Sequence, residues 1–156
     1  MSLDSPTTPR EKPNRSLAEC DRRFSECLRN WRFWTLPTEN SLERIRKFAD
    51  LCQEYADGVE RVGARRCAVS ILTEGVYRLH GLLLDEYALE PEVRAEVFCE
   101  LVRLAAVLLE QLGSLGASET AQDLLEDLSI AKEYVERALE PRDPGAESVP
   151  YLRLVR

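Results

Sequence analysis

The chain has one histidine, His80, in Tyr77-Arg78-Leu79-His80-Gly81, and five cysteines: Cys20, Cys27, Cys52, Cys67 and Cys99. Imidazole and thiolate are the side chains most often recruited near neutral pH as general base, nucleophile or metal ligand. Their spacing here supplies none of these roles. Zinc ligands come in close pairs such as C-x-x-C or with neighbouring histidines. Cys20 and Cys27, seven positions apart, are separated by about 10 Å at 1.5 Å rise per residue, too far to bridge. Four of the five cysteines adjoin or join apolar stripes, as small buried hydrophobes do, and no disulfide framework is expected. Without a second histidine or a Glu-x-x-His pair, neither a di-metal bundle site nor a nucleophilic triad can be assembled. His80 follows a core position, Leu79, and reads as a partly exposed helix flank. The glycines never form G-x-G-x-x-G or G-x-x-x-x-G-K-[ST]. The chain is therefore read as non-enzymatic, with no cofactor and no metal.

Carboxylates are the more abundant resource. Glu92, Glu96 and Glu100 form an i, i+4 ladder, and Glu119, Asp123, Glu126 and Asp127 cluster further on; residues 91 to 140 hold eleven acids against four bases. Like charges four apart on a helix cost a few tenths of a kcal/mol per pair, so such a face is either solvated or waiting for a basic partner. Glu92, Glu96, Glu100, Asp123 and Asp127 are accordingly candidate contacts for a protein partner.

The third concentration is Arg29-Asn30-Trp31-Arg32-Phe33-Trp34-Thr35-Leu36-Pro37, which holds both tryptophans. Trp31 and Trp34 continue the apolar stripe before them and read as a plug for the mouth of a helical core. Phe33 lies off that stripe and reads as a docking knob. Phe33 and Trp34 join the candidate partner contacts. A base-stacking platform is disfavoured because 21 bases against 28 acids leave a charge of -7, which repels phosphate backbones. Near the end of the sequence, Val149-Pro150-Tyr151-Leu152-Arg153-Leu154-Val155-Arg156 is apolar and needs a surface, either the bundle's own groove or another protein. Tyr151, Leu152 and Leu154 are its candidate contacts.

The elements that must position these groups are helices. Leu17, Cys20, Phe24, Cys27, Trp31 and Trp34 repeat at 3-4-3-4-3 spacing, predicting a helix of about 18 residues that ends at Leu36-Pro37. A second stripe runs through Leu42, Ile45, Phe48, Cys52, Tyr55, Val59 and Val62. It falls out of phase with Ala68, Ile71, Leu72, Val76, Leu79 and Leu83, so a joint is predicted between Gly58 and Gly63. Pro91 suits a first helical position. Val93, Val97, Leu101, Leu104, Leu108 and Leu112 follow it, broadened by Val102, Ala105, Ala106, Val107 and Leu109 until the middle is apolar nearly all round, which predicts a central helix. Gly113 and Gly116 close it, Ser118 is expected to cap the next, and Ala121, Leu124, Leu128, Ala131, Val135 and Ala138 repeat a coiled-coil-like spacing up to Pro141.

The fold expected is all-α, an up-and-down antiparallel helical bundle of four to five helices. Residues 1-14, with three prolines, read as a disordered arm in which Ser5-Pro6 and Thr8-Pro9 match proline-directed kinase sites; 15-141 form the bundle domain and 142-156 a short extended tail. At 156 residues and 44% hydrophobic the chain can bury a single core. No apolar run approaches the 20 or so residues of a membrane span, and no secretory segment opens the chain, so a cytoplasmic location is expected.

Ala138-Leu139-Glu140-Pro141, with the preceding Tyr134-Val135-Glu136-Arg137, looks like the end of a tetratricopeptide unit, but the remaining offsets are missing and no solenoid is read. Arg65-Arg66-Cys67-Ala68-Val69-Ser70-Ile71 with Glu74-Gly75-Val76-Tyr77 resembles a patch of the small bacterial four-helix-bundle proteins encoded within ribosomal RNA intervening sequences. That resemblance covers about a tenth of the chain. The function expected is an intracellular protein-protein interaction module, an adaptor or assembly subunit in a homo- or hetero-oligomer, with no nucleic acid partner. The alternative is a small-ligand or lipid-binding bundle with a pocket lined by Phe48, Tyr55, Leu79 and Leu108.

Overall fold

The computed structural model describes residues 15–31, 41–84 and 90–139, excepting the side chains of Pro91, Glu92, Ala138 and Leu139. Five α-helices make up these residues: α1 (Leu17–Arg29), α2 (Ser41–Arg61), α3 (Arg65–Leu84), α4 (Pro91–Ser114) and α5 (Ser118–Leu139). Consecutive helices pack on one another as an up-and-down bundle; α4 touches α2, α3 and α5, and α3 also touches α5. This is the central position that the broad apolar surface of α4 predicts. Its buried residues Val97, Leu101, Leu104, Ala105, Leu108 and Leu112 meet Leu72, Val76, Leu79 and Leu83 of α3 in one core.

Local chemistry sets the ends. The hydroxyl of Ser16 accepts from the Glu19 N–H, 3.2 Å away, and so caps α1. The helix closes earlier than the stripe predicts, at Arg29. Asn30 is its C-cap, where the backbone N–H makes the last i to i−4 bond to the Glu26 carbonyl at 3.0 Å and the side-chain amide donates to the same oxygen at 3.1 Å; residues 32–36 of the expected helix lie outside the described residues. Between α2 and α3 the joint falls at the last residue of the predicted window. Gly63 takes φ +87, and the N–H of Ala64 reaches back to the Val59 carbonyl at 2.9 Å, a left-handed stop that glycine tolerates best. Gly58 is not a break. It lies inside α2, where a β-carbon would displace the end of the Leu17 side chain of α1. Glu90 and Pro91 open α4 as expected. Before α5 the expected cap shifts by one residue: Ala121 donates to the Ala117 carbonyl, so Ala117 takes the place expected for Ser118, which is the first helical residue.

Leu17 and the polar ties of α1 fasten it along α2. Arg15 pairs with Glu54 at 2.6 Å, and the Tyr55 hydroxyl donates to Asp21 at 2.7 Å. Phe24 stacks parallel to Phe48 with ring centroids 6.2 Å apart, and Trp31 closes on Phe48 at 4.8 Å. Cys20, Cys27 and Cys52 are buried in this region, and Cys67 and Cys99 are exposed; all five are free thiols. Because the turns at 62–64 and 115–117 lie at one end of the bundle, α1 and α3 finish, α2 and α4 start, and α5 finishes at the other. Trp31, Ser41, Leu84, Glu90 and Leu139 therefore stand toward that second end.

Candidate functional site

The fold divides the acids that the sequence groups together. Glu96 and Glu100 lie on the side of α4 that meets α2. Arg103 donates to Glu100 through Nη2 at 2.6 Å and Nε at 3.2 Å, and reaches Asp50 of α2 at 2.8 Å and the Gln53 side-chain oxygen at 2.7 Å. Arg46 of α2 touches Glu96 at 3.3 Å and stands 3.9 Å from Glu100, a charge contact too long for a hydrogen bond. Glu100 is only 8% exposed. It ties α4 to α2, whereas Glu96 stays exposed at the rim. Glu92 lies in the first turn of α4; its side chain falls outside the described residues.

Asp123 and Asp127 behave differently. They stand on α5 beside the stripe Leu124, Ala131, Val135 that enters the core, and with Ile130 and Tyr134 they form a second stripe at 4-3-4 spacing. On α3 the residues Thr73, Tyr77, His80 and Leu84 make a stripe of the same spacing. The two are joined where the Tyr77 hydroxyl donates to Asp127 at 2.5 Å. Alternation of direction makes α3 and α5 parallel, so one helical repeat further on Leu84 comes level with Tyr134. Tyr77 is 40% exposed, Leu84 38% and Ile130 56%, so this is an apolar ridge open to solvent.

Two contacts hold the edges of this face. The His80 ring lies 5.8 Å from that of Tyr77, and the Arg94 guanidinium of α4 covers the Tyr134 ring at 5.4 Å, a cation–π contact. The Nε2 of His80 is buried without a hydrogen-bond partner among the described residues. Burial and the bond to Asp127 push the Tyr77 hydroxyl up to about 12, because ionisation would place a second negative charge beside the carboxylate. Glu119, Asp123 and Glu126 add exposed negative charge on the outer side of α5. Lys132 points away, about 200° around the helix from Ile130. Arg137 is engaged by Glu133 at 3.1 Å.

Among the described residues, no group of three or more His, Cys, Asp or Glu side chains could hold a metal ion, and no helix is long and apolar enough to cross a membrane. Of the remaining candidate contacts, Phe33, Trp34, Tyr151, Leu152 and Leu154 lie outside the described residues. Of the residues in the alternative pocket, Phe48 and Leu79 are fully enclosed, with Phe24 and Trp31 against the Phe48 ring, and the Tyr55 hydroxyl is turned to Asp21. The sequence singles out Asp123 and Asp127 as candidate contacts and does not single out Tyr77, Leu84, Ile130 and Tyr134, which lie beside them in the fold. The available signal was the 4-3-4 spacing of Asp123, Asp127, Ile130 and Tyr134, one position off the buried stripe.

These features define an all-α up-and-down bundle with an acidic and apolar face along α3 and α5. No protein-family model, curated protein or solved structure matches the chain.

Proposed function

We propose that the protein is a non-enzymatic protein-protein interaction module whose α3/α5 face receives a basic, apolar segment of a partner protein. The observation that carries this reading is the pairing of exposed Tyr77, Leu84 and Ile130 with the carboxylates of Asp123, Glu126 and Asp127. Apolar side chains there would be covered by a partner, and the carboxylates would steer basic side chains to the rim and fix their register. The free thiols fit a reducing compartment, and the cytoplasm is part of the same proposal.

The test is fluorescence anisotropy with a labelled synthetic helical peptide bearing leucine and arginine on one face. The full chain is expected to bind it with an affinity that falls as salt rises. Asp123→Lys with Ile130→Ser should weaken binding at least tenfold while leaving the helical circular dichroism unchanged, since both positions are exposed. Equal binding by wild type and variant would refute the assignment.

A further inference from the structure

We infer that the chain's own residues 149–156, VPYLRLVR, occupy the α3/α5 face and compete with any external partner for it. The inference shares its surface with the reading above but needs no second protein.

Three observations support it. The first is where the chain leaves the bundle. Helix α5 ends at Leu139, at the same end as Leu84 of α3, so the following residues emerge beside the upper edge of the face. The second is reach. Residues 140–148 can extend about 30 Å at roughly 3.3 Å per residue, whereas Tyr134 to Asp123 runs about 16 Å along α5. Eight further residues, extended, span about 26 Å and cover that run. The third is charge. Residues 148–156 contain Arg153 and Arg156 and no acid; the face carries Asp123, Glu126 and Asp127, while of the nearby bases Lys132 is directed elsewhere, Arg137 is paired with Glu133 and Arg94 sits at the edge over the Tyr134 ring. Attraction across a few ångströms at a partly desolvated surface is a favourable term that an uncharged tail would lack. A second copy of the bundle is the poorer occupant, because it would set these carboxylates against their own kind. Tyr151, Leu152 and Leu154 supply the apolar surface that Ile130, Leu84 and Tyr77 lack.

Such a segment acts as an intramolecular competitor. It is present at high effective concentration, so an external peptide must displace it before binding.

Disulfide trapping in the full chain tests this. Ile130→Cys is combined separately with Leu152→Cys and Leu154→Cys, and each protein is oxidised mildly at micromolar concentration and mapped by mass spectrometry. A disulfide requires α-carbons within about 7 Å, and the exposed native Cys67 and Cys99 are internal competitors. Val102→Cys, exposed on α4, replaces Ile130→Cys as the control. The expected result is a bridge to position 130 within a monomer from at least one tail position, formed at least tenfold faster than to 102, 67 or 99, and slowed by Arg153→Glu with Arg156→Glu. Equal bridging to the control, bridging only between molecules, or no bridge at all would overturn the inference. The two readings fail separately. Peptide binding without the bridge leaves the interaction face standing and refutes the covering segment; a bridge, with no peptide binding even by the full chain carrying Arg153→Glu and Arg156→Glu, does the reverse.

Discussion

The sulfur of Cys52 lies 2.7 Å from the point where a β-carbon on Gly75 would stand, so α2 and α3 meet there without room for a methyl group. Leu104 of α4 approaches the same point at 3.4 Å, so α2, α3 and α4 come together at Gly75. Gly75→Ala gains up to about 1 kcal/mol in helix propensity but forces a fully enclosed thiol to move, and overpacking of this kind costs about 1 to 3 kcal/mol. The net expectation is destabilisation, read as a lower urea midpoint. Adding Cys52→Ala should recover part of the loss, and the two changes should not be additive. Gly81→Ala meets nothing within 4 Å and should raise the midpoint by about 0.5 to 1 kcal/mol equivalent.

Trp31 covers Phe48 at 4.8 Å between ring centroids, with the Arg78 guanidinium 5.8 Å from the indole centroid. The ring is half-buried, so Trp31→Ala should cost about 2 to 3 kcal/mol, less than the roughly 3 to 5 typical of an enclosed aromatic such as Phe48. Chemical denaturation of both alanine variants measures the order. A Trp31→Ala midpoint equal to wild type would remove the ring from the account of the core.

Most helix stripes were legible because a 3.6-residue apolar period records which side of a helix is dry. Leu17, Cys20, Phe24 and Cys27 mark the dry side of α1, and the phase change between Gly58 and Gly63 marks a turn. The azimuth of the polar residues was not legible in this way. Glu96 and Glu100 looked like steps of one solvent ladder with Glu92, yet Glu100 is enclosed because Arg46 and Asp50, some fifty residues away, come level with it across the α2/α4 contact. Ile130 shows the converse. Its neighbours on α5 enter the core, and only the seating of α5 against α3 decides that residue 130 remains outside. The interruption of α1 at Asn30 has a local side, since the Asn30 amide shares the Glu26 carbonyl with the Asn30 N–H while the apolar rhythm continues to Trp31.

Glu100 and Arg103 should respond unequally to substitution. Arg103→Met removes both short bonds to a carboxylate that is 8% exposed, and losing hydrogen bonds to a charged group of that kind costs about 2 to 3 kcal/mol. Glu100→Gln keeps an acceptor for Arg103, which also retains Asp50 and Gln53, so about 1 kcal/mol is expected. Guanidinium-chloride curves screen exposed pairs, so urea melts at low salt are the appropriate measurement. Equal costs, or a larger cost for the glutamine, would contradict the geometry.

Tyr55 and Tyr77 each donate to an aspartate, Asp21 and Asp127, and burial together with those bonds lifts both hydroxyls from 10.0 to about 12. A raised pKa means that the folded chain holds protons which the unfolded chain has released once the pH exceeds about 10. The stabilisation is therefore complete below pH 10 and is lost as the pH rises toward 12, so the urea midpoint should fall across that window. Tyr55→Phe with Tyr77→Phe should lower the midpoint at pH 7, where two hydrogen bonds are gone, yet flatten its decline between pH 10 and 12. A residual slope should persist in the double variant, because burial also pushes the Cys20, Cys27 and Cys52 thiols upward. Tyrosinate absorbance during alkaline titration provides the second readout. In the wild type, Tyr55 and Tyr77 should ionise late while the chain remains folded, and an alkaline slope unchanged by the double substitution would show that neither hydroxyl is held by its aspartate.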